Sequence, residues 1–412
     1  MDPHALAQAY GTPTYVYDAA AITRNYHALT GALSLVGRPV AIHYAVKANY
    51  NLAVLHHLKI LGAGADVVSG GEMQRALAAG MAPSDIVFSG VAKTDAELRA
   101  ALAVGVGQIN LESAEELDHL IHLCDALGQG VQCAVRINPD VETDTHAKIS
   151  TGRADHKFGV DIVTARRMFE RARGTRVQLV GLAMHIGSQL LSLAPYDQAF
   201  GVMARTAQDF AAAGHDIQVC DLGGGIGVPY RPHEEPLDLA SFAALIQKHS
   251  AGFPGRLAME PGRFLVANAG RLLVRVIFIK RTAHKNFVVV DGAMNDLMRP
   301  ALYDAYHAIT PAGTQSNQTM TADVVGGVCE SSDVFLQGAL LPANLQSGDL
   351  LWIENAGAYG ATLSNTYNAR DLAAEVWVDG ISHQCIRRRW TAADHMALES
   401  IPDWRSAAES DR

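Results

Sequence analysis

The chain has 412 residues, of which 49% are apolar and 18% charged, and its formal net charge at pH 7 is -9. This length predicts two domains, and the composition is typical of a folded α/β protein rather than a disordered one. The acidic balance argues against nucleic acid as a partner. We find neither a secretory signal nor an apolar run long enough to cross a bilayer, which predicts a cytoplasmic protein with no membrane partner.

The cysteines and histidines give no sign of a metal or a disulfide framework. The five cysteines are odd in number and include no CxxC pair, which indicates a reducing compartment. They are Cys124, Cys133, Cys220, Cys329 and Cys385, and we expect all of them except Cys329 to lie in the core or in helices. The pairs His56/His57 and His119/His122 lie in segments with helical spacing and lack a third ligand nearby, so we predict no metal site.

Between about residues 40 and 265, short apolar runs alternate with segments of helical spacing. The eight runs are AIHYAVK (41–47), ADVVS (65–69), IVFSG (86–90), QINLES (108–113), VQCAVRIN (131–138), VQLVGLAMHIG (177–187), IQVCDLGGG (217–225) and RLAMEPG (256–262). Near-continuous apolar strands are typical of a parallel sheet buried on both faces. Eight of them predict an α/β fold with an N-terminal (β/α)8 TIM barrel, and a doubly wound open sheet is the alternative.

After Arg263 the predicted strands follow one another with few helical segments between them. They are RLLVRVIFIKR (271–281), NFVVVDG (286–292), TADVVGGVC (321–329), DLLWIENAG (349–357), AEVWVDG (374–380) and HQCIRRR (383–389). This pattern predicts a mostly antiparallel C-terminal β domain, a sandwich or barrel, with a loop at 308–320. We assign residues 23–265 to the TIM barrel, and residues 1–22 with 266–412 to the β domain.

Chemically distinctive residues lie at the predicted carboxyl ends of the barrel strands, where barrels carry their active sites. Lys47 ends the first strand, His185 the sixth, Gly223–Gly225 the seventh, and Glu260 and Arg263 the eighth. Taken alone, each has an ordinary structural interpretation as a surface lysine, a satisfied polar side chain or a turn. Their shared position on one rim favours a functional site.

The chemistry of these groups fits one cofactor. A glycine-rich turn after the seventh strand offers backbone N–H groups to a phosphate. A lysine can form a Schiff base with an aldehyde, a carboxylate can keep a pyridine nitrogen protonated, and an imidazole can stack on a flat ring. Phosphate, aldehyde and pyridine nitrogen together describe pyridoxal 5′-phosphate (PLP).

Six motifs, in order along the chain, carry a resemblance to a known family. They are YAVKANYN, HIGSQ, DLGGGIGVPY, EPGRFLVANAG, GGVCESSD, and GAYG followed by SNTYNAR. Over nearly the whole chain, this set resembles the fold-type III PLP-dependent decarboxylases. Within that family, DTHAKISTGRADHKFGV and MNDLMRPALYDAYH are most similar to the enzymes that act on meso-2,6-diaminopimelate.

The resemblance implies an alanine-racemase-like barrel carrying PLP, in an obligate homodimer with shared active sites. Lys47 would hold PLP covalently and act on protons at the substrate, His185 would lie against the ring, and Glu260 would pair with its nitrogen. The groups around the phosphate would be Ser188, Gly223, Gly224, Gly225, Gly262, Arg263 and Tyr367. Substrate contacts would come from Arg263, Arg299, Tyr303, Glu330 and Tyr367.

Two of these residues would come from the neighbouring subunit. Cys329 would donate the proton to the substrate, and Glu330 would bind its distal ammonium. Arg263, Arg299 and Tyr303 would hold carboxylate groups, which suits the bidentate fork of arginine. Without its context, Cys329 has the alternative of a small buried apolar residue. The role of Asp66, which matches a family motif, stays open.

The implied reaction is the decarboxylation of meso-2,6-diaminopimelate to L-lysine and carbon dioxide, the last step of lysine biosynthesis. One alternative is a sister decarboxylase acting on carboxynorspermidine, ornithine or a siderophore precursor. The others are an amino-acid racemase on the same barrel and a non-catalytic, decarboxylase-like regulatory protein. The set of Arg299, Tyr303 and Glu330 favours a substrate with a zwitterionic distal end.

Two positions depart from the family pattern near the residues that select the substrate. Ser332 takes the place of a glycine in the usual CESGD motif, and a positive φ there would strain the loop that carries Cys329 and Glu330. Asp371 stands where the family often has a proline. Both departures bear on substrate choice more than on PLP binding.

Overall fold

The computed structural model describes residues 2–141, 157–313 and 316–402. Most of the motif at 144–160 and most of residues 400–412 lie outside these residues. The chain begins with α1 (Pro3–Tyr10) and β1 (Thr14–Asp18). It forms two compact units: a barrel unit of Asp18–Gly270 and Gly357–Thr362, and a sheet unit of the described residues in Met1–Tyr17, Arg271–Ala356 and Leu363–Arg412.

Eight parallel strands close into a barrel in the barrel unit. The ring closes because the first of these strands pairs with the second and also with the eighth. The strands are β2 (Val40–Ala45), β3 (Gly64–Val67), β4 (Ile86–Phe88), β5 (Gln108–Leu111), β6 (Val131–Arg136), β7 (Val177–Ala183), β8 (Val219–Asp221) and β9 (Arg256–Met259). The predicted (β/α)8 barrel is confirmed, and the open-sheet alternative is wrong.

The barrel unit has one helix before its first barrel strand and further helices after the strands along the chain. They are α2 (Ala19–Leu33), α3 (Leu52–Leu61), α4 (Gly70–Ala78), α5 (Asp95–Val104), α6 (Ala114–Leu127), α7 (Ile162–Ala172), α8 (Ala194–Ala212), α9 (Leu239–His249) and α10 (Arg263–Val266). Most begin at an Asp, Asn, Ser or Thr whose side chain accepts a hydrogen bond from the first turn. Thr94 and Glu97 form a capping box at α5. Among the described residues, no helix is both long and apolar enough to span a membrane.

A branched nine-stranded sheet forms the sheet unit. Its further elements are β10 (Gly270–Arg281), β11 (Asn286–Val290), α11 (Arg299–Tyr303), β12 (Ile309–Pro311), β13 (Thr319–Val325), β14 (Val334–Pro342), β15 (Leu350–Ile353), β16 (Ala374–Asp379), β17 (Ser382–Arg387) and α12 (Ala392–Met396). The main path runs β14-β13-β11-β10-β1-β16-β17, and β15 pairs with β10 and β12. Most pairs are antiparallel and β11–β13 is parallel, which confirms a mostly antiparallel domain.

Three predictions about the local structure of this unit are wrong. The polar stretch predicted as a loop contains β12, which is only three residues long and exists because Ile309 pairs with Ile353. Strand β14 was not predicted, because Gly338 with a φ of 65° interrupts its alternation. Cys385, expected in the core or in a helix, is exposed on β17.

Candidate active site

Lys47 lies in a short turn, Val46–Ala48, directly after β2. Its Nζ atom donates a hydrogen bond of 3.1 Å to Oδ2 of Asp66, which is fully buried on the neighbouring strand β3. Burial by itself would lower the pKa of Lys47, but the negative charge of Asp66, followed by Tyr359 and Glu260, raises it above the usual value. Lys47 is therefore held as an ammonium at the carboxyl end of the barrel. Its side chain is 38% exposed and remains accessible.

Glu260 follows β9 directly and is buried. Its Oε1 atom accepts a hydrogen bond of 3.3 Å from Nδ2 of Asn110 on β5. The pKa of Glu260 is raised well above its usual value by burial and then by the charges of Asp221 and Asp66. Burial also raises the pKa of Asp221. These buried carboxyl groups favour a cation placed among them, because only a positive charge relieves both burial and mutual repulsion.

The turn Gly223–Gly225 follows β8 and has no room for side chains at its first two positions. A Cβ atom on Gly224 would lie 2.1 Å from the carbonyl oxygen of Glu260. Gly223 has a φ of 71°, and a Cβ atom there would lie 2.2 Å from the carbonyl oxygen of Met184. Only glycine fits, which leaves the backbone open to the close approach of an anion such as phosphate.

His185 lies in the loop after β7 and contacts this turn. Its Nδ1 atom accepts a hydrogen bond of 3.3 Å from the backbone N–H of Gly224. Burial, followed by the positive charges of Arg136 and Lys47, lowers the pKa of His185 well below its usual value. The imidazole is therefore neutral at pH 7, and a neutral flat ring suits stacking on an aromatic cofactor.

Arg263 brings together several groups that were predicted near a phosphate. It is the first residue of α10, directly after Gly262, and it is buried. Its guanidinium donates to the Ser188 hydroxyl at 3.0 Å and to the Tyr230 hydroxyl at 2.9 Å. It also lies 4.9 Å from the centre of the Tyr359 ring. Ser188 and Arg263 are thus joined by a hydrogen bond on the rim that carries Lys47.

The remaining predicted site residues lie in the sheet unit, where two groups form. In the first, the Tyr367 hydroxyl donates a hydrogen bond of 2.6 Å to Oε1 of Glu330, the neighbour of Cys329. Cys329 is exposed, which excludes its interpretation as a buried apolar residue. The second group is α11, which begins at the buried Arg299 and ends at Tyr303.

The two departures from the family pattern have structural explanations. Ser332 is not among the described residues with a positive φ, so the condition under which the serine would strain the loop is not met. The loop is instead ordered by Asp333, whose carboxylate accepts 2.7 Å hydrogen bonds from the backbone N–H groups of Met294 and Val328. Asp371 accepts a hydrogen bond of 3.0 Å from the backbone N–H of Ala392, the first residue of α12, so it anchors the segment after β17.

Several functional candidates escaped the sequence prediction. Asn110 is a polar residue inside an apolar strand, and it links Gln108 at 2.7 Å and Ser89 at 3.1 Å to Glu260. A polar residue inside a buried apolar strand is a signal from which the sequence could have indicated a functional role for Asn110. Asp221 lies two residues before the first glycine of the turn and accepts a hydrogen bond from the Gly223 N–H at 2.9 Å. Nothing in the local pattern around Tyr230 or Tyr359 indicates their contact with Arg263.

The residues of the barrel rim fit PLP. The cofactor would find a partner for each of its groups: the Lys47 amine for the aldehyde, the neutral His185 ring for the flat ring, the buried Glu260 carboxyl for the pyridine nitrogen, and the glycine turn for the phosphate. Oδ1 of Asp66 and Oδ2 of Asp221 are buried without a hydrogen-bond partner within the described residues, which leaves two acceptor atoms where a cationic ring is expected. The fold and this rim therefore define a PLP-dependent enzyme of the TIM-barrel class.

Comparisons with known proteins specify this class further. Residues 19–267 match a family model described as "Pyridoxal-dependent decarboxylase, pyridoxal binding domain". The diaminopimelate decarboxylase of Zymomonas mobilis is 45% identical over 97% of this chain and 95% of its own length. The diaminopimelate decarboxylase of Pseudomonas aeruginosa is 44% identical over 96% of this chain and 94% of its own length. A crystal structure of diaminopimelate decarboxylase from Helicobacter pylori complexed with L-lysine is 41% identical, covers 96% of this chain and 98% of its own, and has a TM-score of 0.92.

The chain thus belongs to the pyridoxal-dependent decarboxylase family and, within it, groups with the diaminopimelate decarboxylases. Its cofactor is PLP.

Proposed function

We propose that this protein decarboxylates meso-2,6-diaminopimelate at its D-centre and releases L-lysine and carbon dioxide, the last step of lysine biosynthesis. The observation that carries the proposal is the similarity to diaminopimelate decarboxylases over both units, at 45% identity over 97% of the chain. The barrel unit contributes the cofactor chemistry expected of such an enzyme. The sheet unit contributes the charged residues Arg299 and Glu330 for a zwitterionic substrate end.

The barrel rim holds the cofactor in this proposal. Lys47 would bind the aldehyde carbon, His185 would lie against the ring, and Glu260 would keep the ring nitrogen protonated. The groups that would bind the phosphate are Ser188, Gly223, Gly224, Gly225, Gly262, Arg263 and Tyr367. Two observations support this arrangement. Arg263 donates a hydrogen bond to Ser188, and the glycine turn has no side chains that would block the approach of a phosphate. When bound, PLP supplies an electron sink for the bonding pair left by the departing carboxylate.

The protein's own residues then bind the substrate and move protons. Arg263, Arg299 and Tyr303 would hold its carboxylate groups, Glu330 would bind its distal ammonium, and Tyr367 would contact the substrate as well. After carbon dioxide leaves, the Cys329 thiol donates a proton to Cα. Lys47, when its amine is not bound to the cofactor, would exchange protons with the substrate amine.

We further propose that the enzyme is a cytoplasmic homodimer in which the neighbouring copy supplies Cys329 and Glu330. Both residues and Tyr367 are exposed on the sheet unit, where a second copy can reach them. A site completed in this way makes dimerisation a requirement for activity rather than only for stability.

The reaction is tested by incubating the PLP-loaded protein with meso-2,6-diaminopimelate and measuring carbon dioxide release together with L-lysine by mass. Ornithine and carboxynorspermidine serve as parallel substrates. The proposal predicts L-lysine from the first substrate and little turnover of the other two. Turnover of ornithine or carboxynorspermidine with no L-lysine formed would assign the protein to a sister decarboxylase.

The shared site has its own test, which uses two inactive variants. Lys47→Ala and Cys329→Ala are each unfolded and refolded alone, and then refolded together. In mixed dimers, one of the two sites receives both native residues, so random mixing restores about a quarter of the wild-type activity. A mixture that stays as inactive as its components shows that both residues of a site come from one copy.

A further inference from the structure

His307 connects the predicted substrate-binding arginine to the backbone of the sheet unit. It is fully buried, with no exposed side-chain surface. Its Nδ1 atom lies 2.8 Å from the carbonyl oxygen of Glu354, and its Nε2 atom lies 3.1 Å from Nη1 of Arg299. One imidazole ring therefore bridges α11 and the residue that follows β15.

These two contacts determine the tautomer of His307. A carbonyl oxygen only accepts hydrogen bonds, so Nδ1 must carry the hydrogen. A guanidinium only donates, so Nε2 must offer a lone pair to Arg299. The ring is therefore neutral with both nitrogens satisfied. A proton added to Nε2 would place two donors against each other and break the contact with Arg299.

The anchor of this chain of contacts is rigid. The backbone N–H of Glu354 donates to the carbonyl oxygen of Ala308 at 2.9 Å, next to the paired residues Ile309 and Ile353 of β12 and β15. The Glu354 carboxylate is held as well, by the Thr310 hydroxyl at 2.8 Å. The orientation of the Glu354 carbonyl is therefore set by the sheet, and His307 transmits that orientation to Arg299.

We infer that His307 is a positioning residue, which holds the Arg299 guanidinium in one orientation through a neutral acceptor. An arginine side chain has considerable rotamer freedom, and fixing it before the substrate arrives lowers the entropic cost of binding. Because the acceptor is uncharged, this contact leaves the positive charge of Arg299 intact for a carboxylate. The inference rests on the proposed function, which assigns Arg299 to a carboxylate group of the substrate.

A matched pair of substitutions separates the two contacts of the ring. In His307→Gln, the side-chain oxygen reaches the position of Nε2 and keeps an acceptor for Arg299. In His307→Asn, the shorter amide keeps a donor at the position of Nδ1 for the Glu354 carbonyl but loses the acceptor. We expect His307→Asn to raise KM for meso-2,6-diaminopimelate about tenfold while kcat stays within about twofold, because uniform substrate binding is lost. We expect His307→Gln to keep KM within about threefold of the wild type.

A binding measurement without turnover accompanies the kinetics. L-lysine retains the carboxylate of the L-centre, and its Kd for the PLP-loaded protein should rise about tenfold in His307→Asn and little in His307→Gln. The Tm and the absorbance of bound PLP should match in the two variants. The inference is overturned if KM and the Kd for L-lysine rise equally in both variants, or if kcat falls at constant KM, because either result shows a purely structural role.

The variant Arg299→Ala separates this inference from the function on which it rests. If it raises KM while His307→Asn does not, Arg299 binds substrate but His307 does not position it. If it leaves KM unchanged, the role of Arg299 fails and the inference fails with it. Should the histidine variants not fold, nitrogen NMR of the wild type with labelled histidine decides, since a protonated Nε2 on His307 contradicts the proposed contact.

Discussion

Nζ of Lys47 lies 3.1 Å from Oδ2 of Asp66, and this ion pair joins the carboxyl ends of the neighbouring strands β2 and β3. Asp66 is fully buried, so its charge depends on the lysine for compensation. Asp66 also raises the pKa of Glu260, which connects the lysine and the buried carboxyl groups of the barrel in one electrostatic system. Substitutions of Lys47, Asp66 and Glu260 should therefore change both cofactor binding and the protonation of the remaining groups.

Replacing Lys47 with alanine should abolish decarboxylation, with a fall in kcat of about 10³-fold or more, because the covalent attachment and the proton-transfer group are both lost. The measurement is carbon dioxide release by the PLP-supplemented protein, together with the visible absorbance of bound PLP. Lys59→Ala, at an exposed position of α3, is the control and should match the wild type. Retained turnover in Lys47→Ala would remove this residue from the mechanism.

Replacing Asp66 with asparagine should lower the pKa of Lys47, because burial then acts with much less opposing negative charge. The neutral amine attacks the aldehyde, so a lower pKa means more reactive amine at a given pH. We therefore expect the pH of half-maximal PLP uptake by the cofactor-free protein to fall. Stopped-flow absorbance over a pH series measures this. Asp95→Asn, at an exposed helix position, should leave the profile unchanged, and an unchanged profile in Asp66→Asn would contradict the prediction.

Replacing Glu260 with glutamine should stabilise the cofactor-free protein at neutral pH. The pKa of Glu260 is higher in the folded protein than in the unfolded chain. Its contribution to stability is therefore fully present below the unfolded pKa and is lost as the pH rises through the folded pKa. The gain is of the order of 1 kcal/mol, and a Tm shift of about 2 °C is expected. The gain should shrink as the pH approaches 5. A gain that is the same at pH 5 and pH 8 would show that charge is not its cause.

The same variant should bind PLP more weakly and lose activity, because a neutral amide cannot hold a proton on the ring nitrogen. We expect kcat to fall by about 10²-fold or more. Scanning calorimetry with and without PLP and steady-state kinetics together show whether stability and function change in opposite directions. Full activity in Glu260→Gln would exclude the proposed pairing with the ring nitrogen.

Adding a methyl group at Gly224 should disrupt the glycine turn. The new Cβ atom would lie 2.1 Å from the carbonyl oxygen of Glu260, so the turn or the end of β9 must move. We expect weak PLP binding or failure to fold, measured by the PLP dissociation constant and by Tm. Gly31→Ala is the contrasting variant: in α2 no atom lies within 4 Å of the added Cβ, and the change should stabilise the protein by about 0.5–1 kcal/mol.

Replacing Ser332 with glycine, the usual family residue, should change little. Ser332 is not in the positive-φ region, so no strain is released, and the added backbone freedom should cost less than about 1 kcal/mol. KM for meso-2,6-diaminopimelate should stay within about twofold of the wild type. Chemical denaturation and steady-state kinetics measure the two effects. A marked rise in stability would show that the serine is strained after all.

Local sequence patterns were sufficient to predict the barrel strands but not two short or interrupted strands of the sheet unit. The apolar runs of the eight parallel strands are buried on both faces, so each carries its own evidence in sequence. Strand β12 has three residues and is defined only by its partner β15, so no local period can reveal it. Strand β14 contains Gly338, whose positive φ breaks the alternation that the prediction requires.

In the candidate site too, residues with a local sequence signal were predictable, and contacts between residues distant in the chain were not. Lys47, His185, Glu260 and the glycine turn were predictable because each directly follows an apolar strand run whose end is visible in the sequence. Contacts between residues far apart in the chain were not predictable, such as Asn110 with Glu260 and His307 with Glu354. Whether Ser332 is strained could not be decided from the sequence, because backbone dihedrals depend on the surrounding loop, here ordered by Asp333.

The sequence by itself determined the order of strands and helices, the strand ends that carry reactive residues and, through its motifs, the cofactor and the family. These properties are local, or they repeat with a short period, and so each can be recognised from neighbouring residues. Only the tertiary structure decided that β2 closes onto β9, that Asp66 holds Lys47, and that a neutral His307 accepts from Arg299. The physical reason is that barrel closure, burial and charge compensation depend on which distant residues approach each other, and local periodicity carries no information about those approaches.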